Sequence, residues 1–99
     1  LKGFLMKAAE ENGRIAAICA APTVLGKLGL LNGRKAICYP GMEDGLTGAE
    51  VTVEPVVTDG NITTSRGLGT AIPFALRLIE ELSGKETADR IAESVVYQA

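Results

Sequence analysis

Histidine is absent from this 99-residue sequence, and cysteine occurs only twice. Without histidine the chain can form neither a Ser-His nor a Cys-His pair, and it lacks the commonest zinc ligand. Cys19 and Cys38 do not have the spacing of a metal motif, so we expect neither a metal site nor a disulfide framework. Two free thiols fit a reducing compartment, and the cytoplasm is therefore the expected location.

An excess of charge of one sign and long apolar runs are missing as well. Ten basic residues stand against twelve acidic ones, which leaves a net charge of −2. The sequence therefore predicts neither a nucleic-acid-specific site nor a membrane partner. With 46% apolar residues, the composition is that of one globular domain or of a piece of one.

Apolar periodicity and turn residues predict an α/β chain. Strands are expected at 15–18, 35–38, 51–54, 56–58 and 62–65, with a hairpin turn at Asp59-Gly60-Asn61. Helices are expected at the start of the chain up to Asn12-Gly13, over 22–30, over 71–83 and from about 85 to 97, with a loop at 41–48. The strand 15–18 is entirely apolar, which is typical of a parallel strand buried on both faces.

The helices carry apolar stripes that we expect to lie in the core. In the opening helix these residues are Leu1, Phe4, Leu5, Ala8 and Ala9. In the last two helices they are Ala71, Ala75, Leu78, Ile79 and Leu82, followed by Ala88, Ile91, Ala92, Val95 and Val96.

Cys19 stands at the carboxyl end of a predicted strand, just before a helix start marked by Pro22. Ligands bind at this edge of open α/β sheets. A sharp turn there would expose the sulfur as a nucleophile elbow does, and helix-terminal N–H groups would favour the reactive thiolate. The Ala20 N–H would stabilise an oxyanion formed when Cys19 attacks a carbonyl. A small buried cysteine that merely packs is an equally good interpretation of this local pattern.

The other candidate residues have structural interpretations. Cys38 follows an apolar strand and is expected in the core. Tyr39 could offer its hydroxyl to a ligand, but a Tyr-Pro pair at the start of a loop is more often packed. Glu43 and Asp44 are expected to be solvated. Gly67-Leu68-Gly69 predicts a tight turn, since the third glycine of a dinucleotide-binding loop is missing.

Four stretches, in order along the chain, resemble the ThiJ/PfpI superfamily and within it the Parkinson-disease-associated DJ-1 branch. They are residues 16–23 at the predicted elbow, 29–36 before the next strand, 64–70 between strand and helix, and 74–85 in the closing helices. Ala20 and Ala21 differ from the Cys-His-Gly-Pro elbow of the protease-like branch.

The resemblance implies a flavodoxin-like (class I glutamine amidotransferase-like) three-layer α/β sandwich, a homodimer and a reactive Cys19. It also implies that residues 1–99 are the C-terminal portion of one domain, whose N-terminal half supplies a glutamate that hydrogen-bonds the cysteine. The isolated portion is then expected to be inactive. Its strand 15–18 would have a free edge, so we expect a partner there, either the missing half or a second copy.

The implied function of the full-length protein is that of a cysteine-dependent enzyme for glyoxal, methylglyoxal or their protein and nucleotide adducts, as a deglycase or a glyoxalase-like enzyme. The alternative is a non-catalytic oxidative-stress sensor or chaperone that uses oxidation of Cys19. No cofactor is implied. Tyr39 and Leu68 are expected to line the pocket. Tyr39 stands where some members have a histidine, and a tyrosine is not a base at neutral pH.

Overall fold

A computed structural model describes residues 6–8, 10–11 and 13–97 of the chain. Its elements, in order, are β1 (Ile15–Ile18), α1 (Pro22–Lys27), β2 (Lys35–Ala36), β3 (Glu50–Val51), β4 (Val56–Asp59), β5 (Ile62–Ser65), α2 (Ala71–Ser83) and α3 (Lys85–Ser94). Short 3-10 helices cover Glu43–Gly45 and Leu68–Thr70. Of the predicted opening helix, residues 6–8 and 10 are helical, whereas Leu1, Phe4, Leu5, Ala9 and Asn12 lie outside the described residues.

A three-stranded sheet in the order β1–β5–β4 forms the centre of the fold. β1 runs parallel to β5, with Ile15 opposite Ile62 and Ile18 opposite Ser65. β4 and β5 are antiparallel, and Gly60 between them has a φ of 63°, which a tight hairpin turn requires. The predicted strands 15–18 and 62–65 and the hairpin are therefore confirmed. β1 lies at one edge of this sheet.

A second, parallel pair of strands is formed by β2 and β3, which have only two residues each. The strands predicted at 35–38 and 51–54 are thus too long. The ladder of β2 stops because the Ile37 N–H donates to the Thr64 side-chain hydroxyl at 3.0 Å instead of to a neighbouring strand. That bond ties the segment after β2 to β5 by a side chain.

α1 ends at Lys27, three residues before the predicted end of its helix. Gly29 has a φ of 76°, a left-handed conformation that is common where a helix stops. Gly26 has a packing role, because a Cβ at this position would collide with the Gly45 carbonyl oxygen. Helix α1 therefore approaches the 3-10 helix at Glu43–Gly45 as closely as two backbones allow.

The core lies on the side of the central sheet that faces α1. Its buried cluster consists of Ile15, Ala17, Leu25, Leu31, Ala36, Cys38, Leu46 and Ile62. The expectation that β1 is buried on both faces is wrong, because Ala16 is exposed. A groove lined in part by Ala16 and by Leu78 and Leu82 of α2 remains open on the other face.

Helices α2 and α3 are joined at Gly84, whose φ is 93°. The bounds of α2 agree with the prediction, but α3 ends at Ser94. The expectation that the apolar stripes of both helices lie in the core is wrong in part. α2 has no fully buried residue, Leu82 is 71% exposed, Val96 is 80% exposed, and only Ala88 of α3 is buried. The two helices pack on each other, and α2 also packs on β1, β4 and β5, so part of each apolar face stays uncovered.

Candidate active site

Cys19 occupies the turn between β1 and α1, and its backbone lies in the left-handed region with a φ of 68°. This conformation costs a residue with a Cβ about 1–2 kcal/mol, so the surroundings must hold it. The Cys19 N–H donates to the Ser65 carbonyl at 3.1 Å, and the Cys19 carbonyl accepts the Tyr39 N–H at 2.7 Å. The turn is therefore fixed from two sides while Cys19 itself is only half-buried.

Most backbone amides after Cys19 are used within the turn and the helix start. The N–H groups of Ala21, Thr23 and Val24 donate to the carbonyls of Ile18, Ala20 and Ala21. Pro22 has no N–H, so the expectation that several helix-terminal amides converge on the sulfur is wrong. Within the described part of the chain, no backbone hydrogen bond uses the Ala20 N–H. Ala20 is thus the residue of this turn that keeps a backbone donor for a ligand.

Buried hydroxyls on β5 support the turn from behind. Thr63, Thr64 and Ser65 are at most 4% exposed, and all three make side-chain hydrogen bonds. The Ser65 hydroxyl contacts the Pro55 carbonyl and the Thr70 hydroxyl, both at 2.7 Å. These bonds fix the end of β5, whose last carbonyl holds Cys19.

These three hydroxyl residues were not among the predicted site residues. The sequence does carry a signal for this support, namely a run of three small hydroxyl residues in a strand that is predicted to be buried. Buried hydroxyls are almost always hydrogen-bonded. Such a run therefore indicates that backbone groups of neighbouring segments bond to these side chains.

A groove of about 330 Å³ adjoins the Cys19 turn. It is lined by Tyr39, Pro40 and residues 66–70. Tyr39 bonds Cys19 through its backbone, and Arg66 follows the other partner, Ser65. The ring of Tyr39 lies beside Gly67, where a Cβ would come within 3.7 Å of the ring atom Cδ1. The two residues expected to line a pocket, Tyr39 and the 92% exposed Leu68, therefore share one groove.

Cys38 is fully buried in the core cluster, as predicted. Its thiol makes a weak hydrogen bond to the Tyr39 carbonyl at 3.5 Å. Burial raises the pKa of the Cys38 thiol, and the Glu43 carboxylate raises that pKa further. Both effects keep the thiol neutral.

The acidic loop residues are bound to their own loop or face solvent. Glu43 accepts the Gly41 N–H at 2.8 Å, and Asp44 is exposed. Within the described ranges, no group of three or more His, Cys, Asp or Glu side chains is placed to hold a metal ion. No helix among those same residues has the length and apolarity needed to cross a bilayer.

Known proteins share both the sequence and the fold. The Drosophila melanogaster protein dj-1beta is 46% identical over 99 aligned residues, which cover 97% of this chain and 53% of the relative. A solved structure described as Toxoplasma gondii DJ-1, oxidized, superposes with a TM-score of 0.92 at 40% identity, covering 100% of this chain and 54% of that one. The chain thus spans about half the length of these relatives, and it has the mixed α/β flavodoxin-like fold that they share.

Two further relatives carry the names of enzymes. A Caenorhabditis elegans protein named glutathione-independent glyoxalase DJR-1.2 is 36% identical over 90% of this chain and 49% of its own length. A Pseudomonas putida protein named isonitrile hydratase is 34% identical over 95% of this chain and 42% of its own length. The model of the DJ-1/PfpI family matches residues 1–81, which is most of the sequence. The chain belongs to the DJ-1/PfpI family.

Proposed function

We propose that the full-length protein containing this chain is a cysteine-dependent enzyme that acts on glyoxal, methylglyoxal or their adducts on proteins and nucleotides. The observation that carries the proposal is the left-handed turn at Cys19, with a φ of 68°. A strained backbone between a strand and a helix is the geometry of a nucleophile elbow. The free-energy cost of the left-handed backbone is explained if the protein needs the Cys19 sulfur exposed for its reaction.

The proposed reaction begins with addition of the Cys19 thiolate to the carbonyl carbon. A carbon–sulfur bond forms, the π electron pair moves to the oxygen, and protonation gives a hemithioacetal. The Ala20 N–H, free of backbone partners among the described residues, stabilises the developing oxyanion. Proton transfer falls to the glutamate that we propose in the other half of the domain, since the Tyr39 hydroxyl is no base at neutral pH.

Support for carbonyl chemistry comes from the relative named as a glutathione-independent glyoxalase. The relative named isonitrile hydratase has nearly the same identity to this chain. Identity alone therefore does not select the substrate. The carbonyl is proposed because a single backbone donor beside a nucleophile suits an oxyanion formed on a small substrate.

Turnover of methylglyoxal tests the proposal. The full-length protein is compared with its Cys19→Ser and Cys38→Ser variants, the second being a matched control for loss of a thiol. We expect Cys19→Ser to fall to the uncatalysed rate and Cys38→Ser to retain activity once its folding is verified. Equal rates for Cys19→Ser and the unchanged protein would remove Cys19 from the mechanism.

A second candidate function is that of an oxidative-stress sensor or chaperone that works through Cys19 without catalysis. It is favoured by the solved Toxoplasma gondii structure, which is described as oxidized. Two equivalents of peroxide would each transfer one oxygen atom to the Cys19 sulfur and be reduced to water or alcohol, giving a sulfinate. Mass spectrometry after mild peroxide treatment would then find two added oxygen atoms on Cys19 and not on Cys38, together with no carbonyl turnover.

We also propose that residues 1–99 form the C-terminal portion of a single domain that works as a homodimer in the cytoplasm. The free thiols of Cys19 and Cys38 support a reducing compartment. β1 at the edge of the sheet supports a further strand beside it. Light scattering tests the second point, because a monodisperse monomer of the isolated 99 residues would contradict the need for a partner.

A further inference from the structure

We propose that Arg66 is an anion-binding residue that selects carbonyl substrates carrying a carboxylate or phosphate group close to the carbonyl. The inference rests on the proposed function of Cys19 and adds a substrate class to it. Its starting point is a cationic side chain that lines the groove beside the Cys19 turn.

Of the five arginines in the described part of the chain, Arg66 and Arg90 are the two whose guanidinium groups have no partner. Arg14 pairs with Glu81 at 2.9 Å, Arg34 donates to the Asp59 carbonyl at 2.9 Å, and Arg77 donates to the Thr58 hydroxyl at 3.1 Å. Within the described residues, Arg66 makes no such bond and no carboxylate lies within 4.0 Å of it. Arg66 is half-buried and lines the groove, whereas Arg90 is exposed on α3.

The lining of the groove suits a negative group. Its side chains include no acid, and Tyr39 contributes a phenolic hydroxyl that can donate a second hydrogen bond. Pro40 and Leu68 add apolar surface at the exposed rim of the groove. A guanidinium presents parallel N–H donors that match the two oxygens of a carboxylate or phosphate.

A backbone hydrogen bond places Arg66 near Cys19. The Cys19 N–H bonds the Ser65 carbonyl at 3.1 Å, and consecutive Cα atoms are about 3.8 Å apart. The groove thus begins one residue away from the partner that holds the nucleophile. We therefore infer a small substrate in which the anionic group lies close to the carbonyl.

Alkylation of Cys19 by two reagents of nearly equal shape tests the subsite without depending on carbonyl turnover. Iodoacetate carries a carboxylate, iodoacetamide is neutral, and with either one a carbon–sulfur bond forms while iodide leaves. Rate constants at Cys19 are measured by mass spectrometry on the full-length protein at fixed ionic strength, for the unchanged protein and for Arg66→Gln, Arg66→Lys and Arg90→Gln. Arg90 is exposed on α3 and is the matched control.

We expect the ratio of the iodoacetate to the iodoacetamide rate constant to be about tenfold lower in Arg66→Gln, the size of one lost charge-assisted hydrogen bond. The ratio should be partly retained in Arg66→Lys and unchanged in Arg90→Gln. Inorganic phosphate and acetate serve as competitors, and the one that slows iodoacetate more identifies the preferred anion.

The same ratio in Arg66→Gln as in the unchanged protein, or an equal fall in Arg90→Gln, would overturn the anion site and leave the proposed function intact. Absence of labelling at Cys19 by both reagents would overturn the proposed nucleophile and the subsite with it. Circular dichroism of Arg66→Gln and Arg66→Lys verifies that each ratio belongs to a folded protein.

Discussion

Cys19 and Cys38 both follow short apolar segments of the sequence, yet they differ in backbone and surroundings. Cys19 is half-buried in a left-handed turn, and Cys38 is sealed in the core with its thiol bonded to a carbonyl. They are also close neighbours, since the residue after Cys38 donates its N–H to the Cys19 carbonyl. Their location in the fold is therefore nearly the same. The strained backbone of Cys19 is what distinguishes the candidate nucleophile from the packing residue.

The largest expected difference between the two cysteines is their rate of alkylation. In the folded full-length protein, iodoacetamide should label Cys19 at least about a hundredfold faster than Cys38, because Cys38 reacts only after a local opening that costs roughly 3 kcal/mol. Mass spectrometry of timed samples gives both rates. In urea the two rates should converge, and equal rates in the native protein would abolish the distinction.

Thr64→Val should loosen the segment that holds Cys38 and leave the turn at Cys19 unchanged. The substitution keeps the side-chain shape but removes the acceptor of the buried Ile37 N–H, which should lower the free energy of unfolding by about 1–3 kcal/mol. Urea denaturation measures this loss. Thr47→Val, at an exposed loop position, is the control and should change stability by less than about 0.5 kcal/mol.

The same variant should also change the alkylation rates unequally. Because the segment before Cys38 loses its bond to β5, labelling of Cys38 should become about tenfold faster, as a loss of roughly 1.4 kcal/mol implies. Labelling of Cys19 should stay the same. An unchanged rate at Cys38 would mean that Thr64 does not hold this segment.

Local sequence patterns were sufficient for the parts of the fold that depend on local physics. The β-branched runs around Asp59-Gly60 predicted the hairpin, and the glycine after Ser83 predicted the end of α2. The turn at Cys19 could be expected because an apolar strand, a small residue and Pro22 follow one another. Family resemblance added the global fold, which no local pattern specifies.

Features that depend on distant contacts could not be predicted in the same way. The strand after Lys35 is cut short by a hydroxyl 27 positions away, on Thr64. Val95 and Val96 have the spacing of core residues but lie at a helix end that the described elements do not cover. The groove joining Tyr39 to Leu68 exists only because two turns meet beside Gly67. Such juxtapositions have no signal in a single window of sequence.

Replacing Cys19 by glycine and by alanine measures the strain of the turn. Cys19→Gly should be more stable than Cys19→Ala by about 1 kcal/mol, since relief of the left-handed conformation outweighs the entropy that glycine loses on folding. At Cys38, where φ is not positive, the order of the two variants should be reversed. Urea denaturation of the four proteins makes the comparison, and alanine equal to glycine at Cys19 would show that the turn is unstrained.

The smallest expected effect is a dependence of stability on alkaline pH that belongs to Cys38. Burial and the Glu43 carboxylate raise its pKa in the folded state above the ordinary cysteine value of about 8.5. The folded protein therefore holds the thiol proton more tightly than the unfolded chain. This contribution to stability is complete below the ordinary pKa and declines as the pH rises through the raised one.

The free energy of unfolding should therefore decline less between neutral pH and about pH 10 in Cys38→Ala than in the unchanged protein. Glu43→Gln should lie between them, because it removes the carboxylate and leaves the burial. If Cys38→Ala and the unchanged protein declined in parallel, Cys38 would not be the group responsible, and the contrast between the two thiols would reduce to their exposure alone.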